Sequence, residues 1–458
     1  MAHVRFHVID HDLKVMTVDK SLSLVTESAL ITVFEDGEPA DGLRAREKRD
    51  TAGVELAVGR ILGDVRLNGD EALSRLTERF DGVYIEEFAV TDQEIEAAYD
   101  AVEPAFLDAL RAAMAAVRTF HESQLRSEQA IQTVPGVSLR RLWRPIERVG
   151  LYVPGGRATY PSSVMMLGIP ALVAGCPERV LVSPPGTDGR MPAETVVAAA
   201  EVEVTELYKV GGAQAIAALA FGTESIAPVD KICGPGNAYV TAAKTMIWPE
   251  VAIDFPAGPS ELMIVADDSA PPPWIAADML ANAEHGPDSR VILISTSGEM
   301  VTEVLTELET QLQALPKKDI AAGALREFGA VVLVSDVAEA IDIVNDYAPE
   351  HLELMVGDVE GALALVINAG SVFLGSLSAN AAGDYATGTN HVLPTAGFAR
   401  VHGALSVEAF GRSMEVQELD STGVHQLTEA VTRLARTEGF EGHARAMEIR
   451  SGPGIGRR

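Results

Sequence analysis

Cysteine is almost absent from this chain: two residues in 458, Cys176 and Cys233. So few exclude a disulfide framework as the organising principle, and free thiols suit a reducing cytoplasm. Both adjoin expected regular elements, which reads them as small buried residues. Basic residues are scarce too. Lys and Arg total 36 against 66 Asp and Glu, a formal charge of −30. That balance argues against nucleic acid and anionic membranes, which want basic patches. Long apolar runs are missing. The longest, around Val164–Cys176, is broken by Pro170 and is too short to span a bilayer. The opening Met-Ala-His-Val-Arg-Phe-His has no apolar signal core. Repeats, a P-loop and a full Gly-x-Gly-x-x-Gly fingerprint are lacking as well. What is present is ordinary globular composition, 47% apolar and 22% charged, with length enough for two or three domains. The expectation is a soluble protein of the cytoplasm.

Residues 1–45 are irregular and read as an arm. Residues 46–130 carry helical spacing, as in Leu107, Leu110, Met114 and Val117, and Asp92 with Glu94 marks a helix start. From Val149 short apolar strands alternate with small-residue helices. The expected strands are Val149–Val153, Arg179–Ser183, Glu206–Val210, Lys231–Cys233 and Val251–Phe255. A second alternating block has strands at Leu262–Ala266, Val291–Ser295, Ala330–Val334 and Ser371–Leu374. Strands spaced by helices imply right-handed crossovers and parallel sheets covered on both faces. The predicted fold is α/β, with two incomplete Rossmann-like domains, the arm, and a core-poor helical tail. The expected division is 1–45; 46–150 with 262–404, carrying much of the metal and catalytic site; 151–261; and 405–458, a tail that packs on a partner subunit.

Ala348–Leu354, Ala-Pro-Glu-His-Leu-Glu-Leu, places an acid, Glu350, beside an imidazole, His351, after a rigid proline. Neighbours on extended backbone point in different directions, so one can face a substrate hydroxyl and the other a water. Those are the two proton-handling roles of an alcohol-to-acid oxidation. Three strand ends carry glycine turns: Pro154-Gly155-Gly156, Gly211-Gly212-Ala213-Gln214 and Gly234-Pro235-Gly236-Asn237. Backbone N–H groups there can meet a phosphate, although glycine also serves turns that bind nothing. Asn282 and His285 are three apart at a helix end and share a face, which offers half of a zinc site. Asp384 and the tail residue His443 are candidates for the other half. Ser260 stands in a turn before a strand, as a turn residue or a hydrogen-bond donor to substrate. His391 stands on a stretch that Pro394 keeps extended.

Together these stretches resemble histidinol dehydrogenases over roughly residues 46–450. The resemblance is carried by Val149–Gly156 with Tyr160–Ser163, Val210–Ala218, Gly234–Lys244, Asp254–Glu261, Ala276–Pro287, Ala348–Glu353, Gly383–Thr395 and Glu438–Ala446. It implies an NAD-dependent, zinc-requiring enzyme that oxidises L-histidinol through an aldehyde to L-histidine in two hydride transfers. It implies a metal set of Asn282, His285, Asp384 and His443. Substrate contacts fall on Ser260, His351, His391 and Glu438 and on the metal-ligand positions, NAD contacts on Tyr152, Gln214 and Asn237, and the acid and base on Glu350 and His351. It also implies a homodimer with interlocking tails, in which Glu438 and His443 complete the partner's site. Two positions depart from the family pattern. Asn282 stands where the family has Gln, shorter by about 1.5 Å of reach, and Arg157 follows Gly155-Gly156 where a small or neutral residue is common. They motivate an alternative, a relative that oxidises another small alcohol such as a sulfonated propanediol. A nucleotide-binding protein without catalysis is a third reading, which the Glu350-His351 pair opposes.

Overall fold

A computed structural model describes residues 31–34, 52–125, 129–156 and 158–452. Arg157 and all but residues 31–34 of the expected arm lie outside the described residues. In chain order the first elements are β1 (Thr32–Phe34), α1 (Ala52–Asp81), α2 (Asp92–Ala101), α3 (Pro104–Glu122), β2 (Ala130–Gln132) and β3 (Val137–Pro145). An alternating run follows: β4 (Arg148–Tyr152), α4 (Pro161–Ala174), β5 (Glu178–Ser183), α5 (Ala193–Glu201), β6 (Glu206–Lys209), α6 (Gly212–Phe221), β7 (Lys231–Cys233), α7 (Ala238–Ile247) and β8 (Ala252–Ile253). The second run is β9 (Glu261–Ala266), α8 (Pro272–Ala283), β10 (Arg290–Ser295), α9 (Gly298–Leu312), α10 (Lys318–Phe328), β11 (Gly329–Leu333), α11 (Val337–Tyr347), β12 (His351–Met355), α12 (Val359–Leu365), β13 (Ser371–Leu374) and α13 (Asn380–Tyr385). The tail holds β14 (Gly411–Leu419), α14 (Ser421–Thr437) and α15 (Glu441–Ser451).

Each run makes one parallel sheet, in the order β6-β5-β4-β7-β8 and, with β1 at its edge, β1-β11-β10-β9-β12-β13. The inner strands read as unbroken apolar runs, as in Leu262-Met263-Ile264-Val265-Ala266, because helices bury both of their faces. Local signals agree with the packing. Thr91 caps α2 reciprocally with Glu94, and the Asn237 side chain caps α7 by accepting the N–H groups of Tyr239 and Val240.

In the five-stranded sheet the order reverses between β4 and β7, which opens a crevice at their carboxyl ends. Gly234, with φ +132°, sits so close beneath it that a Cβ there would lie 2.1 Å from the Tyr152 carbonyl oxygen. The six-stranded sheet reverses between β9 and β12. At its carboxyl end Asp267, just past β9, bridges to the segment after β12: its carboxylate accepts the Gly357 and Ser269 N–H groups, at 2.8 and 2.9 Å.

Three findings correct the sequence reading. Residues 411–419 of the expected helical tail form a strand, β14, antiparallel to β3. Residues 32–34 of the expected arm are an edge strand of the six-stranded sheet. The helices over 52–122 bury their apolar faces against the five-stranded sheet: Val58, Leu62 and Leu73 pack with Val180 and Ile216, and Leu110 and Met114 with Leu151 and Leu167. Their cores are shared with residues 148–253, and α3 also meets the 388–392 segment through Val392 and the Asn390–His121 bond. An apolar helical face states that it is buried, not which sheet buries it.

Candidate active site

β9 and β12 are neighbours, with His351 paired to Leu262. Their amino ends, with the residues just before them, gather Ser260, Glu261, Glu350 and His351. The backbone builds the site directly. Glu350 Oε2 accepts the Glu261 N–H at 2.8 Å and lies 3.2 Å from Ser260 Oγ. Ser260 Oγ is also 2.9 Å from Asn282 Oδ1, so its single proton is shared between an amide and a carboxylate. His351 Nδ1 donates to the Glu261 carbonyl at 3.1 Å and is 3.5 Å from Glu350 Oε2. The two side chains expected to diverge therefore converge at one ring nitrogen. On the other side of the ring Nε2 faces Asp384 Oδ1 at 3.5 Å, long for a hydrogen bond.

The other histidines repeat this arrangement. His285 donates Nδ1–H to the Ala281 carbonyl (3.0 Å), one turn back on α8. His391 donates Nδ1–H to the Asp384 carbonyl (2.8 Å). In all three rings the backbone acceptor fixes a proton on Nδ1, so that the neutral form of each ring carries its lone pair on Nε2. His391 Nε2 accepts from Ser163 Oγ at 3.4 Å, which reaches over from the first residues of α4. Buried Asn390 anchors that segment by donating to the Met166 carbonyl at 2.7 Å and to His121 Nε2 at 3.3 Å.

Charge in the site is one-sided. Burial alone would depress the His351 pKa, but the Glu350 and Asp384 carboxylates outweigh it and hold it well above the ordinary imidazole value. Burial would raise Asp384, yet His351, then His391 and His285, keep it below the usual carboxylate range. Burial pushes the His391 pKa down, against the opposing pull of the Asp384 charge. Behind this layer Glu353, two residues along β12 and on the same face as His351, accepts the Asn380 N–H at 2.9 Å. Burial and the nearby charge of Asp278 push Glu353 up to about 8, and burial pushes Asp278 up to about 6.

By donor chemistry the set suits a borderline cation, although among the described residues no three His, Cys, Asp or Glu side chains are gathered closely enough to hold one. Imidazole Nε2 atoms and the Asp384 carboxylate are nitrogen and oxygen ligands of the kind zinc takes, and Asp384 lies within electrostatic reach of His285, His351 and His391. Asn282 fits less simply. It is 1% exposed, its Nδ2 donates to the Arg290 carbonyl at 2.9 Å and its Oδ1 already takes the Ser260 hydroxyl, leaving one lone pair free. Glu438 and His443 stand apart. Both are exposed on the tail, where the His443 ring meets Phe440 at 5.3 Å, and no described contact joins them to the other site residues.

The predicted dinucleotide residues surround the β4/β7 crevice. Tyr152 ends β4, and its buried hydroxyl accepts the Gly212 N–H at 3.2 Å. Gln214, in the first turn of α6, is buried with Nε2 unpaired among the described residues. Asn237 stands at the amino end of α7. Residues missed in the sequence include Glu353, Asp278, Asn390, Lys244 and Asp254. Period-two spacing from His351 pointed to Glu353. The others gain their meaning from contacts distant in the chain.

A crevice suited to a dinucleotide and a nearby layer of acids and imidazoles define an oxidoreductase of α/β architecture. The sequence profile of histidinol dehydrogenase matches residues 44–451. The chain is 46% identical over 405 residues to histidinol dehydrogenase of Methanothermobacter thermautotrophicus, covering 88% of this chain and 95% of that one. It is 47% identical over 400 residues to that of Moorella thermoacetica, covering 87% and 94%. The crystal structure of histidinol dehydrogenase from Elizabethkingia anophelis superposes with a TM-score of 0.87 at 38% identity, covering 92% of this chain and 98% of that one. The chain belongs to the histidinol dehydrogenase family and is an enzyme, a dehydrogenase.

Proposed function

We propose that this enzyme oxidises L-histidinol to L-histidine through the aldehyde histidinal, in two hydride transfers to NAD, as a zinc-dependent homodimer of the cytoplasm. The observation that carries the reading is the convergence of Ser260, Glu350, His351 and Asp384 about the amino ends of β9 and β12, with Nδ1 of His351 and of His285 each fixed on a backbone carbonyl. Family membership supplies the substrate. Two free, buried cysteines suit a reducing compartment, and no described helix is long and apolar enough to cross a membrane. The acidic chain gives no support to a nucleic-acid or membrane partner.

His285, Asp384 and Asn282 would hold zinc, with His443 supplied by the partner's tail. When bound, zinc would orient the amino alcohol and offset negative charge beside His351. Tyr152, Gln214 and Asn237 would seat the NAD, which accepts hydride. In the first oxidation the neutral form of His351, made a stronger base by the flanking carboxylates, takes the hydroxyl proton at Nε2, its ring held by the Glu261 carbonyl on Nδ1. Glu350, fixed by the Glu261 N–H, activates the water that hydrates the aldehyde. His351 assists again in the second oxidation. Ser260, His391 and the partner's Glu438 position the substrate.

The test is NADH formation from L-histidinol with added zinc, before and after chelation. Two NADH per histidinol, lost on chelation, are expected. Folded, zinc-loaded protein that gives no NADH from histidinol but turns over another alcohol, such as a sulfonated propanediol, would sink this reading. It would leave a relative of different substrate, in which Arg157 is the first residue to change.

A further inference from the structure

The β4/β7 crevice has an ion pair beneath it. Lys244, on α7, and Asp254, just past β8, are 2% and 1% exposed and in ion-pair contact with each other. Between them they hold both backbone groups of Gly234. Asp254 Oδ2 accepts the Gly234 N–H at 2.8 Å, and Lys244 Nζ donates to the Gly234 carbonyl at 2.7 Å. A second Lys244 donation reaches the Phe255 carbonyl at 3.3 Å. Two carbonyls and the Asp254 carboxylate thus surround the ammonium. Thr241, one turn earlier on α7, adds a bond from its Oγ1 to the Ala257 carbonyl at 2.6 Å.

This pair is a poor device for stability alone. Two charges taken out of water gain little over apolar residues of the same volume, and their return is fixed geometry. The geometry here is specific. Gly234 is pressed on the Tyr152 backbone in a conformation that side chains rarely adopt, and three residues later Asn237 opens α7. The Phe255 and Ala257 carbonyls belong to the segment that runs on to Ser260, whose hydroxyl meets Asn282 and Glu350. One buried cation thus ties the turn at the crevice to the strand end that carries the proton-handling layer.

We propose that Lys244 and Asp254 are positioning residues for the dinucleotide: they fix the Gly234–Asn237 turn against Tyr152 and set it in register with Ser260. The proposal rests on the reading of this crevice as the NAD site. Neither residue touches the reacting atoms. Their loss would act on cofactor seating first, because a small displacement of a binding turn is costly.

The experiment compares the parent with Lys244→Met/Asp254→Leu, which replaces the pair by apolar side chains, and reads NAD affinity by calorimetry, bound zinc, and the separate KM values. The expected result is a folded variant with NAD affinity weakened about tenfold or more and KM for NAD raised in step. Bound zinc and KM for histidinol stay near the parent values, and the Gly234–Asn237 amides exchange hydrogen faster without any ligand. A purely structural role would lower zinc, kcat and thermal stability together, and that pattern overturns the proposal. So does a variant that binds NAD as tightly as the parent. Should the double variant fail to fold, Asp254→Asn, which keeps the shape and removes the charge, decides by the same criteria. A parent that binds no NAD overturns the reading of the crevice itself, and this proposal with it.

Discussion

His351 is held at Nδ1 by a backbone carbonyl and flanked by two carboxylates, so its exchange for a side chain that cannot carry a proton has a defined effect. His351→Gln is expected to lower kcat by about 10²–10⁴-fold while NAD affinity holds, measured by steady-state turnover and cofactor titration. Asn282 makes a second case. Asn282→Gln restores reach toward the metal but adds a methylene to a side chain that is 1% exposed. Slower zinc loss under a chelator titration is expected, with about 1–3 kcal/mol lost in denaturant unfolding from overpacking. Zinc lost faster than from the parent would count against Asn282 as a ligand. Glu350 and His351 were legible in the sequence because they are adjacent, and Asn282 with His285 because helical spacing joins them. Lys244, Asp254 and Asn390 were not, since their partners lie far along the chain and a lone charge in an apolar helix does not name them.

Strand β12 shows how an element carries more than its visible residues. Its Glu353 holds the first N–H of α13, the helix of Asp384, and faces Asp278, one turn before Asn282 on α8. With its folded pKa pushed up to about 8, Glu353 keeps a proton that the unfolded chain releases at ordinary carboxylate values. The native state therefore binds more protons between those limits, and stability falls as pH rises through that window, by on the order of a few kcal/mol. Glu353→Gln is neutral at every pH. Thermal unfolding of metal-free protein should show a flatter decline toward pH 9 in this variant and a higher Tm there than the parent; equal slopes would refute the assignment. Most alternating strands and helices were legible through apolar runs and helical period. β14 was not. Its Arg412, Ser413, Met414 and Glu415 are exposed, so no buried face marks the sequence, and its partner β3 lies some 270 positions earlier, as Arg141 and Glu415 illustrate.

At the scale of the whole molecule, the expected α/β class and two parallel sheets were legible, because connection lengths dictate them. The grouping of the first helices was not, because it depends on which sheet lies nearer in space. The tail poses the larger question. Leu434, Phe440 and Ile449 are exposed along α14, the turn after it and α15, the stretch that holds Glu438 and His443, which suits burial against a second copy. If the site is shared between subunits, co-expressed His351→Gln and His443→Ala chains should recover activity. Half of the dimers would be mixed and each would hold one intact site, about a quarter of the parent activity. No recovery in purified mixed dimers would rule out sharing.

The Asp267 bridge of the six-stranded sheet has its own consequence. Asp267 spends its carboxylate on the Ser269 hydroxyl and on the Gly357 and Ser269 N–H groups, at the strand ends where a phosphate would have to sit. Burial would favour its protonation, but the Ser269 hydroxyl and then the two N–H groups keep its pKa below the usual range, so a negative charge stands there. With the β4/β7 crevice as the proposed seat, titration with NAD should saturate at one equivalent per chain, and a second equivalent would mean that the bridge opens.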